Sequence, residues 1–440
     1  MEAKKTLIGR ILIVKTFALS QFKYLANLIP FSNDRVNEIN DLLFSYIWNG
    51  KPDKIKRNVI VKDFKFGGLK MPDLKLVITV QKMKWIRYAL LNHDAFWLFT
   101  MKRLIGTEHL PFFLLSNCDL DDFNVSSLFY KEVLDAFKKC RHSDGTTYKE
   151  ISSQLIFYNK NIKIGRKYFF SWDFVQVGLW RLCDFYEEGK LVPFDIWKAR
   201  GLPAPLYYQW FSVVNAIKTT IKKCNIVNVH YKNCIMIKLQ NKSGSFEDMS
   251  SKQLYNLLLN YNCTFSKAQQ KHSLYFDLLF SFEQWERIYM LPHKTVKCNE
   301  VKEMQYKILH RYIATNRLLS LMKKVECSQC TFCSIQCETI YHLFYECVLL
   351  KSIWHHIAKT CSHMCNDDIR FSCKDVIIEY VNNNIDTDKV SIINMVILYT
   401  KYYIYKCKYE PVVPNIQGLR SYLHFQLCYE TKLDNVLKHW

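Results

Sequence analysis

One eighteen-residue stretch restricts this chain more than any other. It opens with Cys330-Thr331-Phe332-Cys333 and closes with His342-Leu343-Phe344-Tyr345-Glu346-Cys347, reading C-x2-C-x8-H-x4-C. A tetrahedral Zn²⁺ takes four nitrogen or sulfur ligands at about 2.0–2.3 Å, and a C-x2-C turn with a second pair nearby can supply them. His342 and Cys347 are five apart in an apolar run, so one helical turn can aim both at the Cys330–Cys333 turn. The spacing predicts a structural Zn²⁺ held by Cys330, Cys333, His342 and Cys347, with Cys327 and Cys337 within reach as substitutes. Chance clustering is the competing explanation, because the chain holds 17 cysteines and eight of them fall between Cys327 and Cys373.

The charge balance narrows the partners. Lys and Arg number 61 against 40 Asp and Glu, a net charge of +21, and such an excess favours polyanions. Nucleic acid, RNA or DNA, is the leading expectation, anionic membrane the runner-up, and a merely soluble basic protein the bland alternative. Membrane insertion finds little support: Leu110–Leu115 is too short to span, and Val390–Tyr405 carries Lys401. The opening Met1-Glu2-Ala3-Lys4-Lys5 has no signal-peptide core. With an odd number of thiols, that favours a reducing, intracellular location in cytoplasm and nucleus. At 440 residues, the length suits roughly two to four domains.

The hydrophobic patterning is mostly helical. Leu7 to Leu28 is apolar nearly all round, the mark of a helix packed on more than one side, and Pro30 ends it. Asp34–Trp48 places Val36, Ile39, Leu42, Leu43 and Ile47 at helical spacing. Gly67-Gly68-Leu69-Lys70-Met71-Pro72-Asp73 reads as a turn needing positive φ, with Pro72 suited to the first helical position. The helix that follows, to about Leu91, is expected to expose Lys75, Lys82, Lys84 and Arg87. Val301–Ile313 is amphipathic, with Val301, Met304, Ile308 and Tyr312 on one face and Lys307 and Arg311 stacked at i, i+4 on another. Thr315 is placed to cap a helix over Asn316–Lys324, which delivers the chain into the cysteine cluster. The abundant aromatics, Tyr306, Tyr312, Phe344 and Trp354 among them, are expected mainly in the core. Lys163–Tyr168 is an exposed basic-aromatic candidate that reads equally as a β-turn.

Several of these stretches, taken in order, resemble the C-terminal part of a LINE-type (non-LTR) retrotransposon reverse transcriptase. They are Leu7–Ser20, Phe44-Ser45-Tyr46-Ile47-Trp48-Asn49-Gly50-Lys51, Gly67–Asp73, Phe157-Tyr158-Asn159, Gln305–Arg311, the cysteine motif with Thr339–Cys347, Trp354, and Lys401–Tyr405. They are collinear and span most of the chain. The resemblance implies three parts: a thumb-like helical unit over 1–100, an α-rich connector over 101–270, and a C-terminal segment over 271–440 with the zinc-binding domain of that family, its knuckle at about 327–350. It also implies RNA and target-DNA binding by the C-terminal segment. The expected fold class is mainly α.

The chemistry of polymerisation is not expected from these residues. A polymerase needs an aromatic-x-Asp-Asp turn and a further Asp to hold two Mg²⁺ ions. Asp119-Leu120-Asp121-Asp122 and Cys365-Asn366-Asp367-Asp368 lack the aromatic and read as loop carboxylates. The expectation is therefore a non-catalytic, nucleic-acid-binding remnant with no catalytic residues. Its binding residues would be Lys51, Lys54, Lys56 and Arg57 in one loop, with Trp48 as a stacking surface, and Lys307 and Arg311 in a second basic set leading to the cysteines. Two rivals stand beside it: a piece of a longer, active RNA-directed DNA polymerase, and a host-recruited scaffold that binds proteins. A Leu7–Leu28 helix left uncovered would promote self-association.

Overall fold

A computed structural model describes residues 6–92, 95–107, 109–123, 125–140, 153–221, 236–239, 242–246, 248–259 and 264–430. The protein is mainly α-helical, as expected, and its described strands form only short two-stranded antiparallel hairpins. The chain divides into two compact units. One is drawn from Met1–Ala18, Glu38–Pro72 and Tyr261–Trp440, the other from Leu19–Asn37 and Asp73–Asn260.

The second of these units is organised by the Leu74–Leu91 helix. Asp73 caps it by accepting from the Leu76 amide at 3.0 Å, so Pro72 lies one residue outside rather than at the first helical position. Leu74, Val77, Val80, Met83, Ile86 and Ala89 are buried, against the Leu128–Cys140, Leu19–Ala26 and Ser251–Leu258 helices. A helix enclosed this way cannot display four basic side chains. Of the four expected on its surface, only Lys75 is exposed. Lys82 is buried: its Nζ donates to the Ile29 carbonyl at 2.7 Å, pairs with Glu132 at 3.1 Å and sits over the Phe129 ring. Arg87 donates to the Met249 carbonyl at 2.7 Å. Further along, residues 156–217 build a separate aromatic-rich cluster around Phe157, Phe174, Phe185 and Trp210. Within this unit Lys163–Ile164 pairs with Lys167–Tyr168 as a hairpin turned by Gly165 and Arg166, both at positive φ. The Asp119–Asp122 carboxylates serve locally: Asp119 caps a short turn, Asp121 pairs with Lys131, and Asp122 pairs with Lys163.

The unit that contains the cysteines is a continuous core. It packs Trp285 and Ile288 of Phe282–Thr295, Val301, Met304 and Ile308 of Asn299–Leu309, Ile353 and Ile357 of Lys351–Cys365, and Ile397 and Ile404 of Thr387–Tyr409. The Gly67–Gly68 turn belongs here. Gly67 has φ +74°, and a Cβ on Gly68 would lie 2.0 Å from the Lys62 carbonyl oxygen, so no larger residue fits. The Asn299–Leu309 helix stops earlier than the sequence pattern suggests. His310 follows it, Arg311 takes a left-handed φ of +59°, and the expected Lys307–Arg311 stack is not formed.

The N-terminal apolar segment is interrupted. Leu7–Ile13 is α-helical, Val14–Ala18 is a π turn, and Leu19–Ala26 resumes the α-helix. Leu7, Ile11, Val14, Leu19 and Ala26 are buried, while Leu12, Phe17, Tyr24 and Leu25 are exposed. The segment thus buries one stripe, not several faces. Among the described residues no helix is long and apolar enough to cross a membrane.

Candidate functional site

The four residues of the C-x2-C-x8-H-x4-C pattern converge. One ligand atom from each of Cys330, Cys333, His342 and Cys347 lies within 4.8 Å of all the others. Two edges are tighter: Cys330 Sγ to Cys347 Sγ is 4.0 Å, and Cys333 Sγ to His342 Nε2 is 3.4 Å. A tetrahedral ion with ligands at the usual lengths has edges of roughly 3.8 Å between sulfurs and 3.5 Å between sulfur and nitrogen. The thiols are free, and 4.0 Å is about twice a disulfide bond.

Local backbone chemistry builds this arrangement. Gln329 and Cys337 face each other across an antiparallel bridge, and Cys330 N donates to the Gln336 carbonyl at 2.8 Å. The loop between them turns through Ser334, whose amide bonds the Cys330 carbonyl and whose φ is +57°. On the other side, His342–Glu346 is a π turn closed by the Cys347 amide on the His342 carbonyl at 3.1 Å. In a regular α-helix, positions i and i+5 point about 140° apart. The wider π turn brings them nearly into line, which is how His342 and Cys347 come to face one ion.

The sulfurs sit among backbone donors. Phe332 and Cys333 amides point at Cys330 Sγ, those of Ile335 and Gln336 at Cys333 Sγ, and that of Leu349 at Cys347 Sγ. Burial works to raise all three thiols, and Cys347, with a single amide opposing it and two sulfurs beside it, is pushed up to about 12. At Cys333 burial is outweighed by its two amides and the His342 ring, which bring the thiol down to about 6. Amide donors aimed at sulfur satisfy a thiolate, the form that ligates a metal. The donor set therefore fits a closed four-coordinate ion. Cys327 and Cys337 are both exposed and outside the cluster, which removes them as substitutes.

Residues the spacing did not single out brace the site. Glu338 is fully buried; it accepts from the Asn316 amide, from both donors of Thr331 and from Lys408 Nζ. Thr331 is the residue after Cys330, so Glu338 ties the first ligand turn to the Asn316–Leu321 and Thr387–Tyr409 helices. Thr315 caps the former as expected. A signal for Lys408 was available: Ile397, Lys401, Ile404 and Lys408 are spaced as one stripe, and all four are buried. Nothing local marked Glu338 or Asn316.

The basic residues named from sequence do not form one surface. Lys51, Lys54 and Lys56 are exposed. Arg57 is not available in the same way: it pairs with Asp41 and Asp53 and lies over the Phe44 ring. Trp48 is buried, edge-on to Tyr312 at 6.2 Å, and is no open stacking surface. Lys51, Lys54 and Lys307 line one groove of about 690 Å³ with Arg10, Tyr312 and Tyr405, although Glu300 and Glu303 line it too and Lys307 pairs with Glu303 at 2.6 Å. Arg311 lines a different groove, with Arg317 and Tyr341. No protein-family model matches the chain.

Proposed function

We propose that Cys330, Cys333, His342 and Cys347 hold one structural Zn²⁺, and that the chain is a non-catalytic nucleic-acid-binding module akin to the C-terminal part of a non-LTR retrotransposon reverse transcriptase. The convergence of those four ligand atoms carries the reading. With four protein ligands and Cys330 and Cys347 buried, the ion would be closed to substrate and would serve folding rather than catalysis. The net charge of +21 and the exposed Lys51, Lys54 and Lys56 support sequence-tolerant contact with the phosphates of RNA or DNA. Exposed Leu12 and Tyr24 support some self-association through the N-terminal segment, to be read by light scattering.

Native mass spectrometry and elemental analysis of the purified chain test the metal: about one zinc per chain is expected, lost on Cys333→Ser. A folded, metal-free wild type would sink the zinc assignment. Filter binding of labelled RNA and DNA across a salt series tests the partner. Affinity falling steeply with salt is expected, and its absence at low salt would sink the nucleic-acid reading.

A further inference from the structure

Resting on the nucleic-acid reading above, we propose that a groove of about 650 Å³ beside the cysteine cluster seats single-stranded nucleic acid, one base stacking on Tyr275 and the adjoining phosphates meeting Lys267, Lys271 and Arg317. The groove lies between the Lys267–Phe276 helix, Arg311, the Asn316–Leu321 helix and the Thr339–Tyr341 segment. Its lining residues include Lys267, Lys271, Arg311 and Arg317 but no Asp or Glu. Lys267, Lys271 and Arg317 are exposed, and no ion pair among the described residues uses them.

The floor is a fixed aromatic stack. Arg311 Nη1 donates to the Tyr341 hydroxyl at 2.5 Å, and that hydroxyl also bonds Nδ1 of the fully buried His272 at 3.2 Å. Tyr275 lies flat on Tyr341, with ring centroids 3.3 Å apart and planes within 5°. Its hydroxyl donates to Glu346, which anchors the far end of the side chain. One face of Tyr275 is covered, yet 44% of the residue is exposed. That exposure lies away from the face that Tyr341 covers. A held aromatic face costs little ordering entropy when a base stacks on it.

The pairing of a flat ring with unpaired cations selects the ligand. A polyglutamate-like peptide offers charge but no aromatic face to stack, whereas a nucleotide offers both. In a duplex the base faces are already stacked, so only a single strand can use Tyr275. The groove lined by Lys51 and Lys54 is the weaker candidate, because Glu300 and Glu303 line it as well.

The test titrates the full chain with fluorescent U20 and dT20 single strands and with a duplex of the same length. Tyr275→Ala should weaken single-strand binding by roughly tenfold or more and leave the duplex unchanged. Lys271→Gln with Arg317→Gln should make log Kd against log salt shallower by about 1.4 for the single strands, at ~0.7 per phosphate contact. Loss confined to U20 or to dT20 assigns the 2′-hydroxyl or the thymine methyl; loss in both assigns the shared pyrimidine ring and phosphate. Photocrosslinking of 4-thiouridine-labelled U20 should mark Tyr275, a readout that needs no variant. Wild-type binding that survives all three substitutions, with crosslinks elsewhere, overturns the groove while leaving the nucleic-acid reading intact. No wild-type binding at low salt overturns both. A polyglutamate peptide that binds and is lost on the same substitutions, where the oligonucleotides are not, overturns the proposal in favour of an acidic protein.

Discussion

The cysteine knuckle at 327–350 and the basic loop at 48–57 were both read from a handful of residues, yet their side chains are held by different means. In the knuckle, four ligand atoms meet within 4.8 Å, backbone amides point at the sulfurs, and a buried Glu338 pins the turn to two helices. Each contact is directional, so moving one residue disturbs the rest. In the loop, Lys51, Lys54 and Lys56 project into solvent, and the charge that is held firmly, Arg57, is held by Asp41 and Asp53. Directional chemistry makes a place; undirected charge makes only a tendency. Variants in each region measure how far that contrast extends.

The largest effect is expected at the knuckle itself. Cys330→Ser or Cys347→Ser should abolish metal binding and cost several kcal/mol of stability, since ligation of a structural zinc is folding free energy. Calorimetry with and without a strong chelator checks this: chelation should lower the wild-type melting temperature and leave the Ser variants unmoved. A chelator with no effect on the wild type would place the knuckle no higher than the loop.

The next effect comes from the brace. Lys408→Met leaves the Glu338 carboxylate buried without its cation, a change that costs about 3–5 kcal/mol. Adding Glu338→Gln should recover much of that loss, because the amide carries no charge to strand. Denaturant titrations of the two single variants and the double variant measure the coupling. Additive losses would mean the pair does not act as a unit.

Two turns earlier on the same helix, Lys401 is buried more deeply still, and no ion pair among the described residues uses it. Its Nζ donates to Gln305 Oε1 at 2.6 Å, and burial pushes the ammonium down to about 7 from its ordinary 10.5. The native state therefore binds this proton less tightly than the unfolded chain. As pH rises from 7 towards 10.5, the unfolded chain alone keeps the proton, and the native state gains by up to about 1.4 kcal/mol per pH unit. Lys401→Met should remove that slope and stabilise the protein most near and below pH 7. The stability difference between variant and wild type from pH 6.5 to 9.5 isolates it from the tyrosines and thiols that titrate at alkaline pH. A difference independent of pH would mean Lys401 stays charged in the fold.

Much of this was legible in sequence, and the failures share a cause. Ligand spacing picked out four residues whose ligand atoms converge, because coordination needs particular atoms at particular separations. The helix over Asn33–Ile47 followed from apolar periodicity. Basic residues fared worse, because a single sequence reports charge but not whether an acid lies nearby in space. Lys82 looks like a surface lysine until Glu132, distant in sequence, is placed beside it, and the stripe that marks Lys408 does not reveal its partner Glu338. Tyr275 carries no local mark either, since its ring is held by Tyr341, distant in sequence and stacked directly on it. The left-handed turn at Arg311 broke a pattern that periodicity alone extended too far.

The smallest effect is expected at the loop. Replacing Lys51, Lys54 and Lys56 together with Ala removes three exposed cations, none of which takes part in an ion pair among the described residues. Stability should move by no more than about 0.5 kcal/mol, the usual range for surface changes. Nucleic-acid affinity should fall by a similar factor for unrelated sequences, because phosphates carry no base identity. The salt dependence should become shallower by at most ~0.7–0.9 per lysine, and by less if the three share phosphates. Arg57→Ala should behave differently: it strands Asp41 and Asp53 at the surface and costs about 1 kcal/mol at most, being exposed enough for water to screen both acids. If Arg57→Ala flattened the salt slope as much as the triple lysine variant, the arginine would be reaching phosphate in the complex, and the loop would be a shaped site after all.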